Sequence, residues 1–295
     1  MKIACKLIVL SLVCFFSTSL LSAVDLIVFS YNRPMQLYAF LESAQKYLTG
    51  VTSTTVIYRA QAEYQVGYEL VQKSFGQVRF ISQQNPPHDF ADLTKKAAFK
   101  DGKSKYILFA VDDIFVKSPV DLNYCVDKLE QHKAYSFLLR LGLNVTNCYM
   151  LSMQTPLPVM EQVAPEVYKY KFANGKGDWS YPNNADMSLY RKADIEPIIN
   201  SARWSTPNTF EGEWAARANL NQFGLIFAQS KIVNIPINMV NISSNRFMKS
   251  YTTAELLERF MAGQKIDLEP IVKVKNSSPH MDYEVSFVER SPLAN

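Results

Sequence analysis

The chain has 295 residues, 48% of them hydrophobic and 20% charged, with a formal net charge of +4. That is ample material for one large core or two small ones, and the charge is too small to point to nucleic acid or an anionic membrane surface as partner. Low-complexity tracts and fixed-period repeats are absent from the sequence, so it reads as an ordinary folded enzyme or binding domain.

The chain opens with "MKIACKLIVLSLVCFFSTSLLSA": Lys2 and Lys6, an apolar run from Leu7 to Leu21, then the small residues Ser22 and Ala23. This is the layout of a secretory signal peptide, and the run falls short of the roughly 20 apolar residues of a membrane span. The expectation is an export leader over 1–23 that is cleaved, sending the chain to the periplasm, the secretory lumen or outside the cell; an uncleaved leader would anchor it to a membrane. Losing two lysines and no acids takes the net charge from +4 to +2. Two cysteines remain, Cys125 and Cys148; they either pair or stay as buried thiols, and no Cys/His spacing suits zinc. Sequons stand at Asn144, Asn241 and Asn276.

From Val24 the pattern alternates strand and helix. "VDLIVFSYNRP" is a buried strand ending near Ser30, and Pro34 suits the first turn of a helix that carries Leu37, Leu41, Ala44 and Leu48 to Gly50. A second strand over 53–60 precedes the helical "EYQVGYELVQKSF"; a third, over 77–83, precedes a short helix that Asp89 is expected to cap. "YILFAV" then runs into Asp112 and Asp113. Helix over 120–133, strand over 134–142 and a long irregular stretch rich in Tyr, Trp and Asn follow. Two more helices, "ADIEPIINSA" and "TFEGEWAARANLNQF", lead to an extended "GLIFAQSKIVNIPIN". Strands alternating with helices predict a βαβ series and a mostly parallel central sheet flanked by helices. No Pro, Gly or Ser linker divides it, so residues 24–295 read as one domain: a Rossmann-like half over 24–119 that binds one ligand and a half over 120–295 that shapes the site for another.

Two adjacent carboxylates closing an apolar strand are costly unless something positive sits beside them. In open α/β sheets ligands gather at the carboxyl ends of strands, and both Asp112-Asp113 and "SYNRP" lie at such ends. An oxygen-rich site of this kind suits Mg²⁺ or Mn²⁺ bridging carboxylates to phosphates. The pair alternatively does no more than end the strand and cap the next turn. Neither a GxxxxGK[ST] loop nor a GxGxxG follows a strand, which excludes a P-loop or a dinucleotide fold.

Three segments together resemble nucleotide-sugar glycosyltransferases of the GT-A fold, family-2-like in pattern. "VFSYNRPMQL" is similar to their opening, "ILFAVDDIF" to their acidic metal motif, and "TFEGEWAARANLNQFGLIF" to their E-D-x-D-L-x-x-R segment. The order matches over residues 24 to 240. The resemblance implies a GT-A-like domain that moves a sugar from a nucleoside-diphosphate donor to a hydroxyl on a glycan, lipid or protein. It implies Asp113 as direct ligand of Mn²⁺ or Mg²⁺, Asp112 on the ribose or shared with the metal, and His280 as a further metal ligand. Ser30, Asn32 and Arg33 would contact the nucleotide. Glu211 takes the position of the catalytic base and Glu213 that of the second acid; Trp179 and Asp186 would meet the acceptor. The departures are Val111 or Ile114 within the acidic motif, Glu at the base position and Phe210 for the acid before it. These departures keep two rivals in view: a non-catalytic nucleotide- or glycan-binding protein on the same fold, and another metal-dependent phosphotransfer or phosphodiester enzyme.

Overall fold

The computed structural model describes residues 24–240, 248 and 250–290; the expected leader and Asn241 lie outside them. The main sheet contains β1 (Val24–Tyr31), β2 (Val51–Arg59), β3 (Arg79–Ser82), β4 (Tyr106–Val111), β5 (Ser136–Leu138), β6 (Met160–Ala164), β7 (Val167–Lys171), β8 (Ser188–Arg191) and β9 (Phe223–Phe227). Their order across the sheet is β6-β7-β9-β5-β8-β4-β1-β2-β3. β1 through β4 pair in parallel, as do β5 and β9. β8 and β7 are antiparallel to their neighbours, so the other seven strands of the nine share one direction. The mostly parallel sheet is therefore present, with strands from both halves of the chain in it.

The helices are α1 (Pro34–Tyr47), α2 (Gln65–Ser74), α3 (Phe90–Lys95), α4 (Leu122–Gln131), α5 (Lys192–Ser201), α6 (Pro207–Ala215), α7 (Thr253–Met261) and α8 (Leu268–Val272). They cover both faces of the sheet, which is why β1 and β4 are apolar on both sides. Leu26, Val28, Leu108 and Ala110 face the cluster built from α1, α2, α4, α7 and α8. Ile27, Phe29, Ile107 and Phe109 face the one built from α3, α5 and α6. No helix among the described residues is long and apolar enough to cross a membrane.

The edge of the sheet away from the strand ends is tied by a buried pair. Lys192 Nζ lies 2.6 Å from Asp25 Oδ2, and Ser53 and Ser104 hydroxyls donate to Asp25 Oδ1. Burial works to raise the Asp25 carboxyl, but Lys192 and the two serines outweigh it and hold it below the ordinary carboxylate range.

Some expected elements differ. The strand expected over 134–142 is regular only over Ser136–Leu138; Tyr135 and Leu139 still bond to the neighbouring segments, and beyond them the chain turns to carry Arg140 toward charged partners. The helix expected over 209–223 ends at Ala215: after Phe210 and Trp214 only the small Ala218 continues the apolar helical spacing. Asp89 precedes α3 but does not cap it. Its carboxylate instead accepts the N–H groups of Gln84 at 2.6 Å and Asn85 at 2.9 Å, closing the preceding loop. Cys125 and Cys148 are free buried thiols, which settles that alternative. The Asn144 and Asn276 side chains are tied into internal hydrogen bonds with Ser230 and Lys117, so neither sequon presents a free amide.

Candidate active site

A cleft of about 620 Å³ opens at the carboxyl edge of β1, β2 and β4, within the range of small-molecule sites. Sheet register explains who meets there. Phe29 pairs with Val111, so the next residues, Ser30 and Asp112, come side by side. Ser30 Oγ donates to Asp112 Oδ2 at 2.8 Å, and the Tyr31 N–H adds a bond to the same oxygen at 3.3 Å. Behind them Tyr68 hydroxyl and Ser30 Oγ lie 2.6 Å apart; since Ser30 spends its proton on Asp112, Tyr68 is the donor.

The positive group beside the two carboxylates is Arg33. Its Nη1 lies 3.0 Å from Asp112 Oδ1 and 3.2 Å from Asp113 Oδ2. Nε and Nη2 are held by the Asn238 side chain and carbonyl. Burial pushes the Asp112 carboxyl up to about 6, with Arg33 pulling it down and Asp113 pushing it up. Both Asp112 oxygens are thus engaged inside the protein. Asp112 therefore anchors Arg33 and the end of β1, and it still lines the cleft. Asp113 is different, because its Oδ1 is buried and has no partner.

Asn32 also departs from expectation. It takes a positive φ of 51°, which Asn tolerates in a tight turn. Its amide faces Gln61, whose N–H donates to Asn32 Oδ1 at 2.9 Å, and it is not part of the cleft wall. Its work is to shape the β1–α1 turn that places Arg33.

The opposite wall comes from the second half of the chain. β8 runs antiparallel to β4, with Leu189 opposite Leu108, so the residues just before β8 reach the same edge where β4 ends. Asp186 is brought to the cleft in this way. Arg140, 2% exposed, donates from Nη1 to Asp186 Oδ2 at 2.9 Å and from Nη2 to Asp178. His280 Nε2 lies 3.7 Å from the same Asp186 oxygen, and its ring stacks on Tyr149.

α6 is pinned by aromatic packing. Phe210 meets Phe29 and Phe109 edge-on at 5.9 and 5.3 Å, and Trp214 meets Phe109 at 5.8 Å. At 3.6 residues per turn, Glu211 and Glu213 sit about 80° to either side of that buried stripe. Glu211 therefore faces the cleft, where its Oε1 accepts the Ala185 N–H at 3.0 Å. Burial, then the Asp186 carboxylate, push its carboxyl up to about 8, against the pull of the Ala185 N–H and Arg140. Glu213 faces solvent, paired with Arg217 at 2.6 Å. The structure removes Glu213 from the site.

Trp179 is likewise removed. It is 0% exposed, donates its indole N–H to the Val145 carbonyl, and packs on Tyr170 inside the core. The aromatic side chain that lines the cleft there is Tyr181. Among the residues expected, Ser30, Arg33, Asp112, Asp113, Asp186, Glu211 and His280 come together on one cleft. Arg59, Arg140, Asp178 and Asn234 line it too without having been foreseen. Arg140 had a signal, a lone charge within "AYSFLLRLG", the same anomaly that singled out Asp112 and Asp113.

No protein-family profile matches the chain. It is similar to the bifunctional glycosyltransferase pgtA of Dictyostelium discoideum, 28% identical over 197 residues that make up 61% of this chain and 25% of that protein. The chain thus spans about a quarter of the length of this relative. Among solved structures it is similar to S. aureus TarS bound to UDP, at 15% identity and a TM-score of 0.48, over 70% of this chain and 58% of that one. It is also similar to GalNAc-T7 crystallised with UDP, GalNAc and Mn²⁺, at 10% identity and a TM-score of 0.50, over 78% of this chain and 45% of that one. The fold is a GT-A-like α/β fold, as the sequence resemblance implied.

Proposed function

We propose that the protein is a glycosyltransferase that moves a sugar from a nucleoside-diphosphate donor to a hydroxyl acceptor. The observation that carries this reading is the meeting of Asp113, with its unpartnered Oδ1, and Glu211 on one cleft at the carboxyl edge of the sheet. The relation to pgtA and the GT-A-like fold support it. The donor enters along the ends of β1 and β2, where Tyr31, Arg59 and Gln83 line the wall. The acceptor approaches from the side of Tyr181, Asp186 and Glu211. Glu211 Oε1 is held by the Ala185 N–H, so Oε2 takes the proton of the attacking hydroxyl, and the transfer inverts the anomeric centre.

The residues present fit a divalent cation of the Mn²⁺ or Mg²⁺ type. Asp113 Oδ1 and His280 Nδ1 are both buried and unpartnered, and such an ion needs only one or two protein side chains when phosphates complete its shell. When bound, it neutralises charge that develops on the leaving diphosphate. Residues 1–23 act as the leader that exports the chain. A non-catalytic binding protein on this fold would bind the diphosphate without turnover.

The test is thermal unfolding with Mn²⁺ and a panel of nucleoside diphosphates, followed by hydrolysis and transfer assays with the matching nucleotide sugars. A ligand at 100 times its dissociation constant adds about 2.7 kcal/mol, a rise of roughly 5–10 °C in a chain of this size. A metal-dependent rise with one base, lost in Asp113→Ala, together with sugar release supports the reading. No rise with any diphosphate overturns it; a rise without sugar release leaves the binding protein.

A further inference from the structure

Tyr31, Arg59 and Gln83 stand in a row across three parallel strands at one end of the cleft. Tyr31 is the register partner of Arg59. Tyr58 pairs with Ser82, and the Gln83 N–H donates to the Tyr58 carbonyl at 2.8 Å, so Gln83 comes beside Arg59 at the carboxyl edge. Side chains alternate along a strand, which puts Phe29 and Ile57, each two residues earlier, on the same face as this row. All five side chains line the cleft, as does Phe90. The result is an apolar slot with polar groups on its rim. The strands run in the order β4-β1-β2-β3. At roughly 4.8 Å per strand, the ends of β2 and β3 lie about 10–14 Å from that of β4. A nucleoside diphosphate with its phosphates near Asp113 therefore reaches the slot with its base.

The two rim groups have opposite polarity. The Arg59 guanidinium lies over the Tyr31 ring, 4.6 Å from its centre, and it can only donate. Gln83 has a donor end and an acceptor end, and Asp89 decides between them. Gln83 Nε2 lies 3.2 Å from Asp89 Oδ1. A carboxylate only accepts, so the amino end turns to Asp89 and Oε1 is left to accept from a ligand. The other Asp89 oxygen takes the Gln84 and Asn85 N–H groups, which holds the carboxylate in turn. Among the described residues that line the cleft, no carboxylate stands at the ends of β2 and β3.

Donors beside a single acceptor discriminate between bases. Adenine and cytosine present an amino group, itself a donor, where Arg59 needs an acceptor. Uracil offers one oxo oxygen, flanked by N3–H and an apolar carbon. Guanine offers O6 and N7 side by side, the pair that an arginine fork meets with two bonds. Its N1–H follows O6 on the adjoining edge, where Gln83 Oε1 accepts. We propose that the donor is a guanosine-diphosphate sugar, with Arg59 reading O6 and N7 of the base and Gln83 reading N1–H. This deepens the glycosyltransferase reading and rests on it for the presence of a donor.

The test is calorimetry on the full chain with Mn²⁺ present, comparing GDP, UDP, ADP and CDP with two altered ligands. GDP is expected to bind about 10–100-fold tighter than the other three natural diphosphates. In 7-deaza-GDP a carbon replaces N7, and the expected loss against GDP is about 10-fold; in Arg59→Met that difference should vanish, whereas a merely structural defect would weaken both ligands and leave it in place. 1-Methyl-GDP, which has no proton on N1, reports on Gln83 in the same way, with its penalty lost in Gln83→Leu. UDP, ADP or CDP binding as tightly as GDP overturns guanine and leaves a transferase with another donor. A 7-deaza penalty that persists in Arg59→Met overturns Arg59 as the reader. Binding of none of the diphosphates overturns the transferase reading with it.

Discussion

Replacing Arg33 by Met tests the central electrostatic claim about the cleft. The substitution keeps much of the side-chain volume and removes the charge that faces Asp112 and Asp113 at 3.0 and 3.2 Å. Breaking a buried pair by deleting one partner costs roughly 3–5 kcal/mol. Two features set the value here. Asp112 keeps the Ser30 hydroxyl and the Tyr31 N–H, which softens the loss, whereas Asn238 loses the Nε and Nη2 donors, which deepens it. The expected deficit at pH 8 is about 4 kcal/mol, a fall in Tm of roughly 8–16 °C for a chain of this length.

The deficit also has a predicted pH dependence. Arg33 pulls the Asp112 carboxyl down against burial, and the balance stands at about 6 in the wild type. Without Arg33 that balance moves higher. A carboxyl whose folded value exceeds its unfolded one, about 3.9, binds extra protons in the folded state between the two. Stability is then lost as pH rises through that window, further in Arg33→Met than in the wild type. Urea unfolding at pH 5, 6.5 and 8 should show the deficit shrinking toward the acid side, and adding Asp112→Asn should recover part of it at pH 8. A deficit below 1 kcal/mol at pH 8, or one that is flat from pH 5 to 8, would refute the assignment of Arg33 as the counter-charge.

Glu211→Gln should abolish transfer while leaving nucleoside-diphosphate binding within a few-fold, and wild-type kcat/KM should rise with pH through about 8 as Glu211 loses its proton; a flat profile from 6 to 9 contradicts Glu211 as base. The raised Glu211 carboxyl also works against stability as pH climbs from about 4.3 to about 8, so Glu211→Gln should be the more stable protein at pH 8.5, by about 2 kcal/mol once water access is allowed for, with no gain at pH 4. Lys192→Met, at the far edge of the sheet, should cost about 3–5 kcal/mol without changing the affinity for nucleoside diphosphate; because Asp25 is held below its ordinary range, that contribution is present at neutral pH and fades as pH falls below about 4, as acid titration of both proteins would reveal. Phe210→Ala should cost about 3–5 kcal/mol and lower kcat, since the ring that it removes pins α6 against Phe29 and Phe109; calorimetry and turnover on one preparation check both.

The first half of the chain was legible because β1 and β4 are buried on both faces and their apolar runs stop abruptly at polar residues. Burial on both faces is what marks a parallel strand covered by helices. Asp112 and Asp113 were legible for the same reason, as charges where the pattern forbids them. The counter-charge was within reach at Arg33, but only sheet register puts position 33 beside position 112. The resemblance placed Glu211 first and Glu213 second, but which of them faces the cleft rests on how Phe210 and Trp214 orient α6. Trp179 was misread since an irregular, Tyr-rich segment looks like a binding loop; its indole is consumed by the core. Asn234 gave no signal at all, as one Asn among several in "VNIPINMVN".

Charge balance in the cleft bears on why a cation belongs to the proposed chemistry. Among the described residues the wall carries three arginines, Arg33, Arg59 and Arg140, against four aspartates, Asp112, Asp113, Asp178 and Asp186, with Glu211 as a fifth acid once it ionises. Arg33 and Arg140 are each spent on two of those aspartates, so neither has charge left over for a ligand. Among the described arginines of the wall, that leaves Arg59 at the donor end, lying over the Tyr31 ring. A diphosphate entering this field would meet a wall that is net negative among the described residues, and charges partly shielded from solvent repel more strongly than in bulk water. A divalent ion at Asp113, as proposed, would reverse the local sign and turn the surplus of carboxylates from an obstacle into its seat. Burial first, and then Asp186 within that surplus, keep Glu211 protonated near neutrality, so the charge balance that bears on the donor end also bears on the base.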